Sequence, residues 1–474
     1  MEKFGSARIL FSLFLGAAIS IAATAQTLKT VAYFSTAAGY DSTATLVQGA
    51  NGNLYGTALY GGAYVTGQGT VFTITPAGQL SDLYSFCAQK GCPDGEYPGG
   101  LIQSANGNFY GTTGEGGPDG AGTLFEMTPS GTLTTLYGFA YPEGSSGVIQ
   151  ADDGDFYSTS MGGGLYGSVF KITPAGVLTT LYTFCAQTNC TDGSAPLGLL
   201  VQATDGDFYG TTNAGGAYVY YGTVFKMTPQ GVLTTLHSFD SSDGAFPNGG
   251  LVQGRDGNFY GTTSYAGAHN TGTVFEITAG GKFTTLHSFC SEVNCADGST
   301  PKVGLVQGSD GNFYGTTSLG GANGPCYYEE GCGTIFEVAD GKLTTLYSFC
   351  SQTNCDDGQI PFTALLQATN GSFYGTTRAG GADSGGTIFS LSVGLGPFVV
   401  TRPTSGKVGA KVTVLGNKLT SATNVSFNGT ATTFKVISST EITATVPTGA
   451  TSGTVEVTTA GGTLKSNVAF RVSP

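Results

Sequence analysis

Tryptophan is absent from this 474-residue chain, methionine occurs four times and histidine three times. Charge is scarce as well, at 10% of residues, and the 18 lysines and arginines are spread thinly against 31 acidic residues. A net charge of −13 with no basic stripe argues against nucleic acid, whose phosphates demand clustered cations. Runs of Leu, Glu, Lys and Ala with helical spacing are missing. No P-loop, zinc-protease or nucleophile-elbow motif appears. No apolar run beyond residue 23 is long enough to span a membrane. What fills the space is glycine (78), phenylalanine (30) and tyrosine (24) among Thr and Val. That composition suits strands broken by tight turns.

Lys3 and Arg8 precede the apolar run ILFSLFLGAAISIAA, and Ala23-Thr24-Ala25 follows as a small-x-small cleavage pattern. Residues 1–25 therefore read as a signal peptide and the protein as exported, to the extracellular space, cell surface or periplasm. The run is shorter than a spanning helix needs, so no membrane span is expected in the mature chain. The ten cysteines fall into five close pairs: Cys87 and Cys92, Cys185 and Cys190, Cys290 and Cys295, Cys326 and Cys332, Cys350 and Cys355. Recurrent short spacing in an exported chain reads as local disulfides. Zinc is the rival, but it needs four ligands in one place, so separate repeats would have to share a site. No metal or cofactor is expected.

One text recurs seven times, as in DGNFYGTT at 256–263, with its tyrosine at 55, 110, 157, 209, 260, 314 and 374. An active-site motif is normally written once, so repetition points to architecture. One unit, residues 250–289, holds four strand-like pieces: LVQ, NFYGTT, GTVFEIT and FTTLHSF. Asp-Gly predicts a tight hairpin between the first two, because both residues tolerate positive φ. A four-stranded unit at this period is the mark of a propeller blade. The fourth strand occurs only six times after its FYGTT partners, and the missing copy, LKTVAYF at 28–34, stands just after the leader. A ring explains this: the N-terminal strand completes the last sheet and removes both edges. The expectation is an all-β, seven-bladed β-propeller closed by an N-terminal strand over residues 26–395. Residues 396–474 change character, with short alternating strands suited to an immunoglobulin-like β-sandwich.

The recurring FYGTT, GG, GTVF, TP.G and LTTLYSF resemble the Gloeo/Verruco (GloVer) tandem repeat of bacterial choice-of-anchor proteins, over nearly all of residues 28–392. The C-terminal segment resembles an IPT/TIG domain through Pro403, Gly406, Gly409, VTVLG, VSFNG, ITATVP and SGTVEV. The resemblance implies an exported, surface-associated repeat protein with no established reaction. The chain ends in AFRVSP, without the hydrophobic sorting tail that such an anchor would use. The Asp-Gly-Asn-Phe-Tyr text also looks somewhat like the repeats of lyase propellers acting on cyclic peptide antibiotics.

In a blade, the loop between the second and third strands shares a face with the link to the next blade. Variable glycine-rich loops and cysteine loops gather there, which makes it the face to search for binding. Its candidate ligand-binding residues are Tyr64, Tyr218, Tyr220, Tyr221, His269, Tyr327 and Tyr328. Exposed tyrosine offers an apolar ring and a polar tip to sugars or to a protein surface. Packing of the loops against neighbouring blades is the alternative. Asp94, Asp192, Asp243, Asp297 and Asp357 each open an Asp-Gly after a link loop; calcium wants six or more oxygens, so turn formation is the simpler reading. No catalytic residue is assigned, since His269 has no matched carboxylate or nucleophile. The sequence thus points to a non-enzymatic binding or scaffold protein with an extracellular glycan or cell-surface protein as partner. A carbohydrate-active or lyase-type propeller enzyme, or a purely structural envelope protein, are the alternatives.

Overall fold

The computed structural model describes residues 26–64, 67–140, 147–162, 165–324, 326 and 331–473. The leader expected at 1–25 and the candidates Tyr327 and Tyr328 lie outside the described residues. Everything described is built from strands and short turns. Residues 27–392 form seven sheets on one plan, here numbered I to VII, each with antiparallel neighbours in chain order. Sheet V is typical: Val252–Gln253, Phe259–Thr263, Thr273–Ile277 and Phe283–Ser288.

Each letter of DGNFYGTT has a structural task. Asp256 Oδ1 accepts the backbone N–H of Asn258, and its other oxygen accepts the Tyr260 hydroxyl at 2.8 Å. The equivalent Asn or Asp bonds the equivalent tyrosine in sheets I to IV, VI and VII. Gly257 takes φ +85°. Only the glycine of the Asp-Gly pair is left-handed; the Asp serves as a side-chain turn former. Tyr260 stacks on Phe313 of sheet VI at 3.9 Å, and Phe259 receives Tyr209 of sheet IV at 3.9 Å. Gly261 makes room for Phe275, whose Cζ would stand 2.6 Å from a Cβ. Thr262 donates to Val303 O of sheet VI at 2.8 Å, and Thr263 pairs with Thr273 inside its own sheet at 2.9 Å. The motif is a clamp between successive repeats. Both faces of the second strand are accordingly buried, as are most positions of the third.

Two further devices join neighbours, and disulfides close the loops locally. A glutamine on the first strand of sheets IV to VII accepts a backbone N–H from the preceding sheet's turn: Asp152 to Gln202, Thr204 to Gln253, Arg255 to Gln307 and Ser309 to Gln367. The phenylalanine ending each fourth strand meets edge-on the third-strand phenylalanine of the next sheet, as in Phe139–Phe170 at 5.6 Å. Disulfides close 87–92, 185–190, 290–295, 326–332 and 350–355.

Sheet VII has its fourth strand from the other end of the repeats. Thr27–Tyr33 pairs antiparallel with Thr387–Ser392, Leu28 opposite Leu391 and Tyr33 opposite Thr387. The inter-sheet devices then run from VII to I. Thr369 N–H donates to Gln48 at 2.9 Å, Thr376 donates to Ser42 O at 3.4 Å, and Phe34 meets Phe72 at 5.3 Å. Tyr374 alone lacks a phenylalanine: its counterpart is Leu54, in the same buried cluster.

Residues beyond 399 form two four-stranded sheets, one with Val400–Arg402 and Lys411–Leu415, the other with Asn424–Phe427 and Val455–Thr459, and a parallel pair of Ser405–Lys407 with Arg471–Ser473. They enclose one core of Val412, Val414, Val425, Phe427, Ile442, Val455, Val457 and Phe470. Burial alternates along Glu441–Thr445, as expected where one face meets a core.

Candidate functional site

Antiparallel connectivity puts the first-to-second and third-to-fourth turns at one end of every sheet. The second-to-third loops and the links between sheets are at the other, called here the loop end. The links are built around the Asp-Gly pairs. Asp297 accepts bonds from His287 Nε2 (2.9 Å), from Ser291 N–H (3.0 Å) and Oγ (2.8 Å), and from Glu292 N–H (3.2 Å). Burial would raise its carboxyl pKa, but these donors hold it at about 2. Asp94, Asp192, Asp243 and Asp357 do the same work with Tyr84, Tyr182, His237 and Tyr347. These oxygens are spent on their own loops, so turn formation accounts for them. His237 and His287 are links in the frame.

Two residues later each link bridges back to the start of its own sheet's second-to-third loop, and there the backbone repeats while the side chains change. Tyr40, Ser194, Ala245 and Ser299 bridge Tyr60, Ala214, Tyr265 and Leu319. Glu96 and Gln359 pair with Glu115 and Ala379 in the same way. The next residue is left-handed in all six: Asp41, Tyr97, Ala195, Phe246, Thr300 and Ile360 have φ between 51° and 59°. For aromatic and β-branched residues this conformation carries strain. In five of the six it goes with a bond to the preceding sheet's loop, for example Tyr97 N–H to Gln68 O at 3.0 Å and Phe246 N–H to Tyr221 O at 3.1 Å.

Four consecutive sheets build a connected crescent from these positions and residues close to them in the chain. Lys302 of VI lies over the Phe362 ring of VII at 5.4 Å, and Arg378 covers the same ring at 5.6 Å. Arg378 pairs with Asp41 of I at 2.8 Å. Its neighbour Tyr40 stacks on Tyr60 at 5.6 Å, and Tyr60 meets Tyr97 of II edge-on at 5.6 Å. Tyr40 and Tyr60 remain 38% and 37% exposed. The crescent ends at Glu96, cross-strand from Glu115. Partial burial first, then repulsion from Glu115 and Asp94, pushes the Glu96 carboxyl up.

The residues expected from sequence are placed differently. Tyr218 and Tyr220 are exposed together at the loop of sheet IV. Tyr64 is exposed on sheet I and His269 on sheet V, so these four are distributed over three sheets. Tyr221 is half-buried against the cluster of Tyr209, Phe239 and Phe259, and its carbonyl accepts the Phe246 N–H. The cysteines also hold a surprise. Two disulfides of sheet VI lie side by side, with the sulfurs of Cys326, Cys332, Cys350 and Cys355 all within 4.8 Å of one another. Sequence reasoning missed the crescent because its residues follow no motif. The usable signal was that the positions just after each link's Asp-Gly vary between copies of an otherwise constant repeat.

The model of the Gloeobacter/Verrucomicrobia repeat matches residues 13–148, 141–325 and 292–433. The chain belongs to this repeat family. An IPT/TIG domain matches residues 400–472, the two-sheet unit described above. Among proteins with curated descriptions no relative matches the sequence. Solved structures similar to this repeat protein include a streptogramin B lyase, at 15% identity over 79% of this chain and 99% of that one, TM-score 0.52. Virginiamycin B lyase from Staphylococcus aureus matches at 14% identity, over 77% and 98% of the two chains, TM-score 0.51. A fungal alcohol oxidase of the AA5 family, solved with copper, matches at 13% identity, over 94% and 99%, TM-score 0.51. At these identities the likeness concerns the fold alone.

Proposed function

We propose that the repeats, residues 26–395, close into a seven-bladed propeller whose loop end binds an extracellular glycan without chemistry. Residues 396–474 form its appended IPT/TIG domain. Closure is supported by the Thr27–Tyr33 pairing and by the bonds from sheet VII to sheet I. Five disulfides support a protein exported into an oxidising compartment, with residues 1–25 as its leader. The observation that carries the binding reading is the Tyr40–Tyr60–Tyr97 chain, with carboxylates at one end and cations at the other. Aromatic faces stack on the apolar faces of sugar rings while flanking charged groups bond hydroxyls.

The test is a glycan array followed by calorimetric titration of any hit. Tyr60→Ala is expected to weaken binding at least about tenfold, equivalent to about 1.4 kcal/mol, with the fold intact. Binding that survives Tyr60→Ala but is lost in Tyr218→Ala would move the site to the outer loops. No glycan bound at millimolar concentration would sink the reading. One observation favours the enzyme alternative: Glu96, its carboxyl pushed up beside Glu115, has the environment of a general acid paired with a carboxylate. Polysaccharide turnover abolished by Glu96→Gln would decide for it.

A further inference from the structure

The turn end of the repeats is not bare. The C-terminal domain reaches the turns of six of the sheets. Thr440 donates to Ala50 O of sheet I at 2.8 Å. Arg402 bonds Gln103 of II, and Ser405 and Arg471 both bond the carboxylate of Asp152 of III. Arg471 also donates to Thr204 O of IV at 3.2 Å. From the other side Arg255 of V donates to Asn467 O at 3.1 Å. At VII, Asn417 bonds Thr369 at 2.9 Å and Phe398 N–H donates to Thr369 O at 3.1 Å. A unit held on one side by a flexible link would touch one or two neighbouring turns. Contacts distributed around the repeat order require it to lie across the middle of the turn end.

The contacts also straddle the junction where the chain's beginning meets its last repeat. Thr440 grips sheet I and Asn417 grips sheet VII, whose turns are already joined by Gln48 and Thr369. A cavity at this junction is lined by Lys29, Gln48, Tyr374 and Asn417, so the C-terminal domain supplies part of its wall. We propose that the C-terminal domain is a fixed plug. It seals the turn end of the propeller axis, sits over the seam between sheets VII and I without being needed to close it, and leaves the loop end as the side from which a ligand approaches. This rests on the closed-ring reading above.

The test uses the full chain and hydrogen exchange read at two places: the Phe398 amide, which reports docking, and the amides of Thr27–Tyr33, which report closure. In the unaltered protein both are expected to exchange at least about a hundredfold slower than unstructured peptide. The double variant Gln103→Ala/Asp152→Ala, altered only in turn-end side chains, is expected to speed Phe398 exchange at least about tenfold and leave Thr27–Tyr33 slow. Arg471→Ala, altered from the opposite side, should repeat the effect. Unprotected Phe398 in the unaltered protein, or no change in either variant, overturns the plug. Fast Thr27–Tyr33 exchange with Phe398 still protected overturns the ring, and the seal with it, while leaving the contact itself standing.

Discussion

Replacing Phe34 by alanine measures how firmly the ring is joined. Phe34 follows the N-terminal strand, is fully buried, and meets Phe72 edge-on at 5.3 Å. Its cluster holds Leu46, Leu54 and Ile74 of sheet I and Ile388 of sheet VII. Phe139 is the same position inside the array, equally buried, and meets Phe170 at 5.6 Å. Truncating a buried phenylalanine costs about 3–5 kcal/mol, from lost transfer energy plus the cavity left behind. If the seam is as tight as an interior junction, Phe34→Ala and Phe139→Ala should cost the same within about 1 kcal/mol. With an m-value of about 3 kcal/mol/M, each would lower the urea midpoint by about 1–2 M. The assay is urea unfolding of both variants and the parent under oxidising conditions. If Phe34→Ala moved the midpoint by less than about a quarter of the Phe139→Ala shift, the N-terminal strand would be frayed and closure refuted.

Leu54→Phe should give Tyr374 the stacking partner its six counterparts have. It is expected to raise stability by up to about 1 kcal/mol, read as an increase in Tm. Asp297→Asn probes the link frame. The folded carboxyl is held at about 2, below its unfolded value of 3.8, so its contribution is full above pH 4 and disappears as pH falls from about 4 to 2. The variant should lose about 2 kcal/mol at pH 7, and the gap from the parent should close below pH 4 in thermal melts. A gap that widened on acidification would refute the assignment.

The fold was legible because the repeats repeat: one DGNFYGTT is ambiguous, whereas seven copies with six matching fourth strands demanded a partner for LKTVAYF. The structure pairs that segment with Thr387–Ser392. The same logic that revealed the frame hid the site. Motif letters such as Tyr260 and Thr262 are consumed in joining sheets, and the aspartates of the links are consumed in turns. Tyr218 and Tyr220 stood out in sequence because they crowd one loop, yet nothing ties them to Tyr64 or His269. Tyr40 and Tyr60 meet through a bridge within sheet I, and Tyr97 joins them only through the contact of sheets I and II. The docking of the C-terminal domain was equally unreadable, because it depends on single side chains such as Arg402 and Arg471 meeting turns from different repeats.

Six links present one side chain each from an identical left-handed backbone, held by bonds that involve only main-chain atoms at that residue. Such a position is an interchangeable socket. Aspartate, tyrosine, alanine, phenylalanine, threonine and isoleucine already fit it within this one molecule, so the chemistry offered at the loop end can be rewritten one residue at a time without recutting the scaffold beneath.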